Sequence, residues 1–368
     1  MEIGWICDTP YQIINCLAFV LSHSDKKDNF DLYIVHQFAN SEKIEANIRK
    51  TGIFRSVNSF RLSGEEKGVA GCIKKCFRII SPKRWLQSSQ ISCDGICSIP
   101  KEYDILFVAV WTIWSVALYF SSNVKQVHFF EDGTGSYFRD LSGFQSRAKF
   151  VYRLLGRDLD RLNPCALYLN NPNLCQEKID CPIYSLKGIM AIDSDSREKI
   201  YQAFDYKRDG YYTGYPIIYL TQPNDNNVPD MEEMDDKILT LLAGYGKDVL
   251  LRPHPRQKNS FQGDLFIDSH QDMWELVCAD QITDSHVLVS VFSTAQITPK
   301  LLYNKEPYLI LLYNLYPGLL PQMREEILGL IGQIRNVYTR PKKVFLPNTL
   351  EELKECIDYI AEDRCQNE

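Results

Sequence analysis

Glu131-Asp132-Gly133 follows directly on the strand-like run Gln126–Phe130 and opens into Gly133-Thr134-Gly135-Ser136. A carboxylate pair released at the carboxyl end of a strand lies where open α/β sheets hold their ligands. Two readings stand side by side. The acids and glycine can close a strand as turn and cap residues. Alternatively, one carboxylate takes a proton from an attacking hydroxyl while the other holds the loop. His254 ends a second buried run, within Leu250–Arg256. Prolines on both sides fix its backbone, and an imidazole between Arg252 and Arg256 suits a phosphate. Ser293 and Thr294 follow a third run, Val287–Phe292, and precede a helical pattern. There they would make either an anion site or an ordinary N-cap. Glu275, in Met273–Val277, can face a ribose hydroxyl or solvent. Acid, imidazole and hydroxyls at three strand ends predict general acid–base chemistry on a phosphorylated substrate.

Other candidates weigh less. Asp193-Ser194-Asp195 has the spacing of a metal-diphosphate holder but precedes Ser196–Ile200, a capped helix start, so no metal is assigned. Twelve cysteines include Cys72/Cys76 and Cys93/Cys97, whose surroundings are unlike a zinc knuckle. Cys7, Cys16 and Cys278 sit among apolar residues, where cysteine acts as a small buried hydrophobe. The stretch Lys67–Leu86 mixes cations with Ile73, Phe77, Ile80 and Trp85. It reads as a domain helix with a solvated face ahead of a membrane-resting one. His23, His36, His128, His270 and His286 have no context that calls for function.

The elements that must position these residues alternate strand and helix, which predicts βαβ units and parallel sheets. Strands are expected at Ile3–Cys7, Asp31–Val35, Ile105–Val110 and Val127–Glu131, then at Ile217–Leu220, Val249–Arg252, Leu265–Ile267, Val287–Phe292 and Tyr308–Leu312. Residues 156–190, with three prolines and no clear period, read as a crossover or linker. The polar stretch Pro223–Asp236 reads as a surface loop leading into a helix over Met234–Ala243. A chain of 368 residues, 45% hydrophobic and 24% charged, predicts a globular protein of two domains. A net charge of −6 argues against a nucleic-acid partner. No basic leader precedes Ile3 and no apolar run reaches a spanning length, so neither export by a standard signal nor a spanning helix is expected.

Phe130–Ser136, Arg252–Arg256 and Phe292–Ala295 together resemble the three motifs of bacterial sialyltransferases: an acidic pair with glycine, a His-Pro, and a Ser-Ser/Thr. With Thr9-Pro10-Tyr11-Gln12 and Tyr219–Pro223 added, the pattern is most similar to glycosyltransferase family 52, which includes lipooligosaccharide and capsule sialyltransferases. The resemblance implies an α/β, GT-B-like fold of two Rossmann-like domains facing a central cleft. It implies inverting transfer from CMP-sialic acid to a galactoside-terminated glycan, with no metal or other cofactor. By position, Glu131 becomes the base and Asp132 the support of its loop. His254, with Pro255, becomes the acid or phosphate partner; Ser293 and Thr294 hold the CMP phosphate and Glu275 the ribose. Gly133, Thr9 and Gln222 complete the donor side. The leading acid is Glu where many relatives carry Asp. The domains are expected at residues 1–185, on the acceptor side, and 186–368, binding CMP, with a C-terminal helix free to pack back on the first. A cytoplasmic place is expected; peripheral contact with the inner face of the plasma membrane and a homodimer are both left open. Two rivals stand: the same fold with another sugar nucleotide, such as a glucosyl donor, and a non-catalytic nucleotide-binding protein of capsule assembly.

Overall fold

The computed structural model describes residues 1–23, 27–61, 75–90, 99–137, 146–175, 180–222, 231–254, 265–291, 293–318 and 321–367. Pro255, Arg256, Phe292, residues 67–74 of the basic stretch, most of the loop after Gln222, and Cys72, Cys93 and Cys97 lie outside them. The chain divides into two compact units, Met1–Tyr206 and Lys207–Glu368.

Unit 1 is built on seven parallel strands in the order β3-β2-β1-β4-β5-β6-β7. They are β1 (Glu2–Cys7), β2 (Asn29–Val35), β3 (Ser56–Phe60), β4 (Glu102–Val108), β5 (Asn123–Phe130), β6 (Ala166–Leu169) and β7 (Ile183–Ser185). The central strands read as apolar runs because helices cover both faces of a parallel sheet. Trp5 of β1 shows the result: its ring stacks on Phe107 at 3.9 Å and lies against Phe19 and Phe130. Helix α1 (Pro10–Leu21) begins at Thr9, whose hydroxyl accepts from Gln12 N, with proline in the first turn. It is buried from Gln12 to Leu21. Helices α2 (Ser41–Thr51), α3 (residues 75–80), α4 (Pro82–Ser88), α5 (Ile113–Ser121), α6 (Ser146–Leu154) and α7 (Ser194–Ala203) follow.

Two sequence readings change here. Residues 156–190 hold two strands, β6 and β7, rather than a bare crossover. Four and three residues are too few to show a period between prolines. The break expected after residue 185 falls inside unit 1, because α7 packs on α1 and α2. Asp193 caps α7, accepting from Ser196 N at 2.9 Å, in keeping with the capping reading of that motif.

Unit 2 has six parallel strands in the order β10-β9-β8-β11-β12-β13. These are β8 (Ile217–Leu220), β9 (Val249–Arg252), β10 (Phe266–Ile267), β11 (Val287–Ser290), β12 (Tyr308–Leu311) and β13 (Val344–Phe345). Its helices are α8 (Met231–Ala243), α9 (Trp274–Asp280), α10 (Thr294–Tyr303), α11 (Pro321–Val337) and α12 (Leu350–Asn367). The C-terminal helix α12 lies along α8 and β12 of its own unit. Among the described residues no helix is long and apolar enough to cross a membrane.

In each sheet the strand order reverses once, between β1 and β4 and between β8 and β11. Helices leave opposite faces on the two sides of such a reversal, opening a crevice at the carboxyl ends of the strands. Every sequence-predicted site residue that is described lies on a segment leaving, or close behind, the carboxyl end of a strand.

Candidate active site

Glu131 and Asp132 leave β5 together, and the fold treats them differently. The Glu131 carboxylate is fully buried. It accepts from the hydroxyls of Tyr11 and Tyr137 and, at 2.7 Å, from the backbone N–H of Asn170. Burial pushes its pKa up, and those donors offset part of the rise. Asp132 is exposed as a residue. Its carboxylate accepts from Gln12 Nε2, and its backbone N–H donates to Ser136 Oγ at 2.8 Å. Gly133 has φ 112°, a conformation open to glycine alone, which explains that residue in the motif. From there the chain curls through a short turn, Ser136 N to Gly133 O at 3.0 Å, and returns Tyr137 to Glu131.

A third acid was not singled out as a site residue by the sequence. Asp8 leaves β1 at the strand-order reversal and is buried. Gln12 joins it to Asp132, since Oε1 accepts from Asp8 N at 2.6 Å while Nε2 reaches Asp132. Burial, and then the Asp132 charge, push the Asp8 pKa up to about 7; a hydrogen bond with Thr112 opposes this. Burial likewise raises Asp132. Burial and a neighbouring acid thus bring the Asp8 carboxyl into the range where a group can give or take a proton near neutral pH.

The sequence reading took Thr9 as a donor-side residue and Pro10–Gln12 only as part of the family pattern, yet this segment holds the acids. Tyr11, Gln12 and Asn15 share one side of α1, and Asn15 Nδ2 donates to the carbonyl of Glu131 at 3.4 Å. Thr9 itself caps α1. Asn170 follows β6, so the strand hidden in the supposed linker supplies a donor to Glu131. A readable signal existed: Gln12 and Asn15 interrupt Ile13, Ile14, Cys16 and Leu17, and polar side chains on a buried helix need partners.

In unit 2, His254 leaves β9 half-buried, and its backbone N–H donates to Thr221 Oγ1 at 2.9 Å. Thr221 follows β8, and Gln222 lies next to it. Arg252 departs from its expected role as a phosphate-facing cation. Its guanidinium donates to Asp268 at 2.5 Å, to Tyr212 Oη at 2.7 Å and to the Asp272 carbonyl. It also lies over the rings of Tyr212 and Trp274. The Asp268 side chain is fully buried and further accepts from His270 N and Gln271 N. Arg252 therefore ties the strand end to the segment that starts α9, where Glu275 stands half-buried with its pKa raised by burial.

Ser293 caps α10, its hydroxyl accepting from Ala295 N at 3.3 Å, and Thr294 is exposed in the first turn. Trp274 Nε1 donates to Ala295 O at 2.6 Å, pinning α9 to the start of α10. Unit 2 thus gathers Thr221, Gln222, His254 and Ser293 on segments leaving β8, β9 and β11, around its own reversal. These are imidazole, hydroxyls and a helix N-terminus, a donor set suited to one phosphate.

No curated protein matches the sequence. Among solved structures, a sialyltransferase from Photobacterium damsela aligns with TM-score 0.50 and 9% identity, covering 94% of this chain and 81% of that one. A kitacinnamycin glycotransferase aligns with TM-score 0.50 and 11% identity, covering 98% and 90%. At such identities the likeness shows the fold alone, an α/β fold of the GT-B type. Glycosyltransferase family 52 matches residues 97–312, more than half of the chain and a span containing Glu131, Asp132, His254, Glu275, Ser293 and Thr294. With its acids and its imidazole set at the strand ends where such folds hold substrate, the chain is a member of glycosyltransferase family 52.

Proposed function

We propose that this glycosyltransferase moves sialic acid from CMP-sialic acid to a galactoside hydroxyl of a surface glycan, lipooligosaccharide or capsule, with inversion and without metal. The acceptor oxygen bonds to the anomeric carbon as the bond to the CMP phosphate breaks. The acceptor proton passes to a carboxylate of unit 1. His254, aided by Ser293, Thr294 and the α10 N-terminus, stabilises the departing phosphate, and Glu275 takes the ribose. A single phosphate leaving group is within the reach of such donors without a cation.

The observation that carries this reading is the Asp8–Gln12–Asp132 arrangement beside a sealed Glu131. It moves the base by one residue. Resemblance alone points to Glu131, but its oxygens are engaged and closed off from solvent. Asp132 is exposed as a residue, and its charge acts on the buried Asp8 carboxyl nearby. Glu131 then becomes the positioning residue.

The test incubates the protein with CMP-sialic acid and a terminal galactoside in EDTA, following sialylated product by mass. The expected result is turnover with release of CMP. Asp132→Asn lowers kcat by about 10²–10⁴-fold, the usual weight of a general base, while Glu131→Gln has a smaller effect. Turnover only with a UDP-sugar moves the chain to the glucosyl-type alternative. Full activity in Asp132→Asn with none in a folded Glu131→Gln returns the base to Glu131.

A further inference from the structure

Helix α6 is apolar on two sides. Its inner side, Ala148 and Tyr152, packs with Phe120 and Tyr119 of α5 against Val116, Leu159 and Leu162. Its outer side carries Phe150 (64% exposed), Leu154 (69%) and Val151 (44%). Helix α3 lies beside it: Tyr152 and Arg78 share a hydrogen bond, and Arg157 Nε donates to Ile79 O at 3.4 Å while lying over Phe120. Helix α3 adds Phe77 (40%) and Ile80 (56%). These five are a large part of the exposed bulky hydrophobics among the described residues, brought together from stretches far apart in sequence.

Charge distinguishes this face from an accidental apolar patch. Residues 75–86 and 146–157 contain Lys and Arg but no Asp or Glu, in a chain of net charge −6. Lys75 on α3 and Arg153 on α6 are exposed, and Arg153 shares Asp160 with Lys149. Bulky apolar tips on helices that also carry cations match an anionic bilayer, whose headgroups attract the cations while its interior accepts the tips. A second copy fits badly, since a two-fold contact sets like patch on like and would oppose cation to cation. A nucleic acid would leave the apolar tips in water.

We infer that the joint outer face of α3 and α6 docks on an anionic membrane surface. The inference stands apart from the choice of sugar donor, and its test needs no enzyme activity. The full chain is co-sedimented with vesicles of phosphatidylcholine alone and of phosphatidylcholine with about 30% phosphatidylglycerol. Binding is expected only to the anionic vesicles, with release as salt rises to about 0.5 M. Lys75→Gln with Arg153→Gln weakens binding about thirtyfold, since each cation near such a surface contributes about a fivefold preference. Phe150→Ser with Leu154→Ser weakens it at least as much. Both positions are exposed, so circular dichroism and the melting temperature stay as in the parent chain. No binding, equal binding to neutral vesicles, or binding that survives both double variants overturns the inference. So does a dimer in solution that Phe150→Ser with Leu154→Ser converts to monomer, since the face would then be a self-association surface.

Discussion

The carboxylate end of unit 1 and the histidine end of unit 2 solve the same problem with opposite chemistry. In both, the first charged residue at the strand end is an anchor and a later one is presented. Glu131 is held by two tyrosines and a backbone amide, and Asp132 stands open beyond it. Arg252 is held by Asp268, Tyr212 and the Asp272 carbonyl, and His254 follows. Alternation accounts for the division at Glu131 and Asp132, which are neighbours pointing to opposite sides. Arg252 and His254 are two apart, and there Pro253 ends the strand before the histidine. The difference lies in the anchors. Unit 1 buries its strand-end carboxyls, and burial raises their pKa values more than the neighbouring donors lower them. Unit 2 buries a charge against its counter-charge. Unit 1 should therefore respond to pH, and unit 2 to loss of a partner.

The largest effect is expected in unit 2. Arg252→Ala leaves the Asp268 carboxylate buried and uncompensated, which costs about 3–5 kcal/mol in urea unfolding. Arg252→Lys recovers little, as it loses the forked donors and the ring contacts. A cost below about 1 kcal/mol would mean that the strand end does not depend on this anchor.

The next effect separates the two ends by pH. Asp8 has a folded pKa of about 7, above its ordinary 3.8, so its folded state binds the proton more tightly. Its contribution is intact below the unfolded pKa and is lost as pH rises from about 4 to 7. Asp8→Asn is thus expected to stabilise the protein at pH 8 by up to about 4 kcal/mol and to change little at pH 4. It also removes the Asp8 ionisation near pH 7 from the rate profile. Melting curves at the two pH values check the first claim, and a kcat/KM profile checks the second. Equal shifts at both pH values would remove the contrast between the ends.

The smallest effect concerns α10. Ser293→Ala removes the cap of Ala295 N and costs about 1 kcal/mol, with a raised KM for the donor and kcat less affected. An unchanged KM would leave Ser293 as a cap alone.

The motifs were legible because they rest on local rules. A strand end followed by Asp-Gly, a proline-bracketed histidine and a Ser-Thr before a helix can each be seen in a few residues. The central strands were legible for the same reason, as apolar runs. β3, β6, β7 and β13 were not: β3 has three polar residues in five, β6 lies between Pro164 and Pro172, and β7 and β13, of three and two residues, lie at sheet edges. Asp8 looked like an ordinary residue between a strand and a helix. Its role depends on Asp132, more than a hundred positions away in the chain.

The chain's own residues determined its class: alternating strands and helices, a parallel core, and acid, imidazole and hydroxyl at the strand ends. Those follow from periodicity and turn chemistry, which act over a few residues. Which acid is sealed and which is open was decided only by the folded structure, as was the engagement of Arg252 by Asp268 and the meeting of α3 with α6. Burial and pairing belong to surfaces that come together across long separations, and no local pattern encodes how much water a side chain keeps.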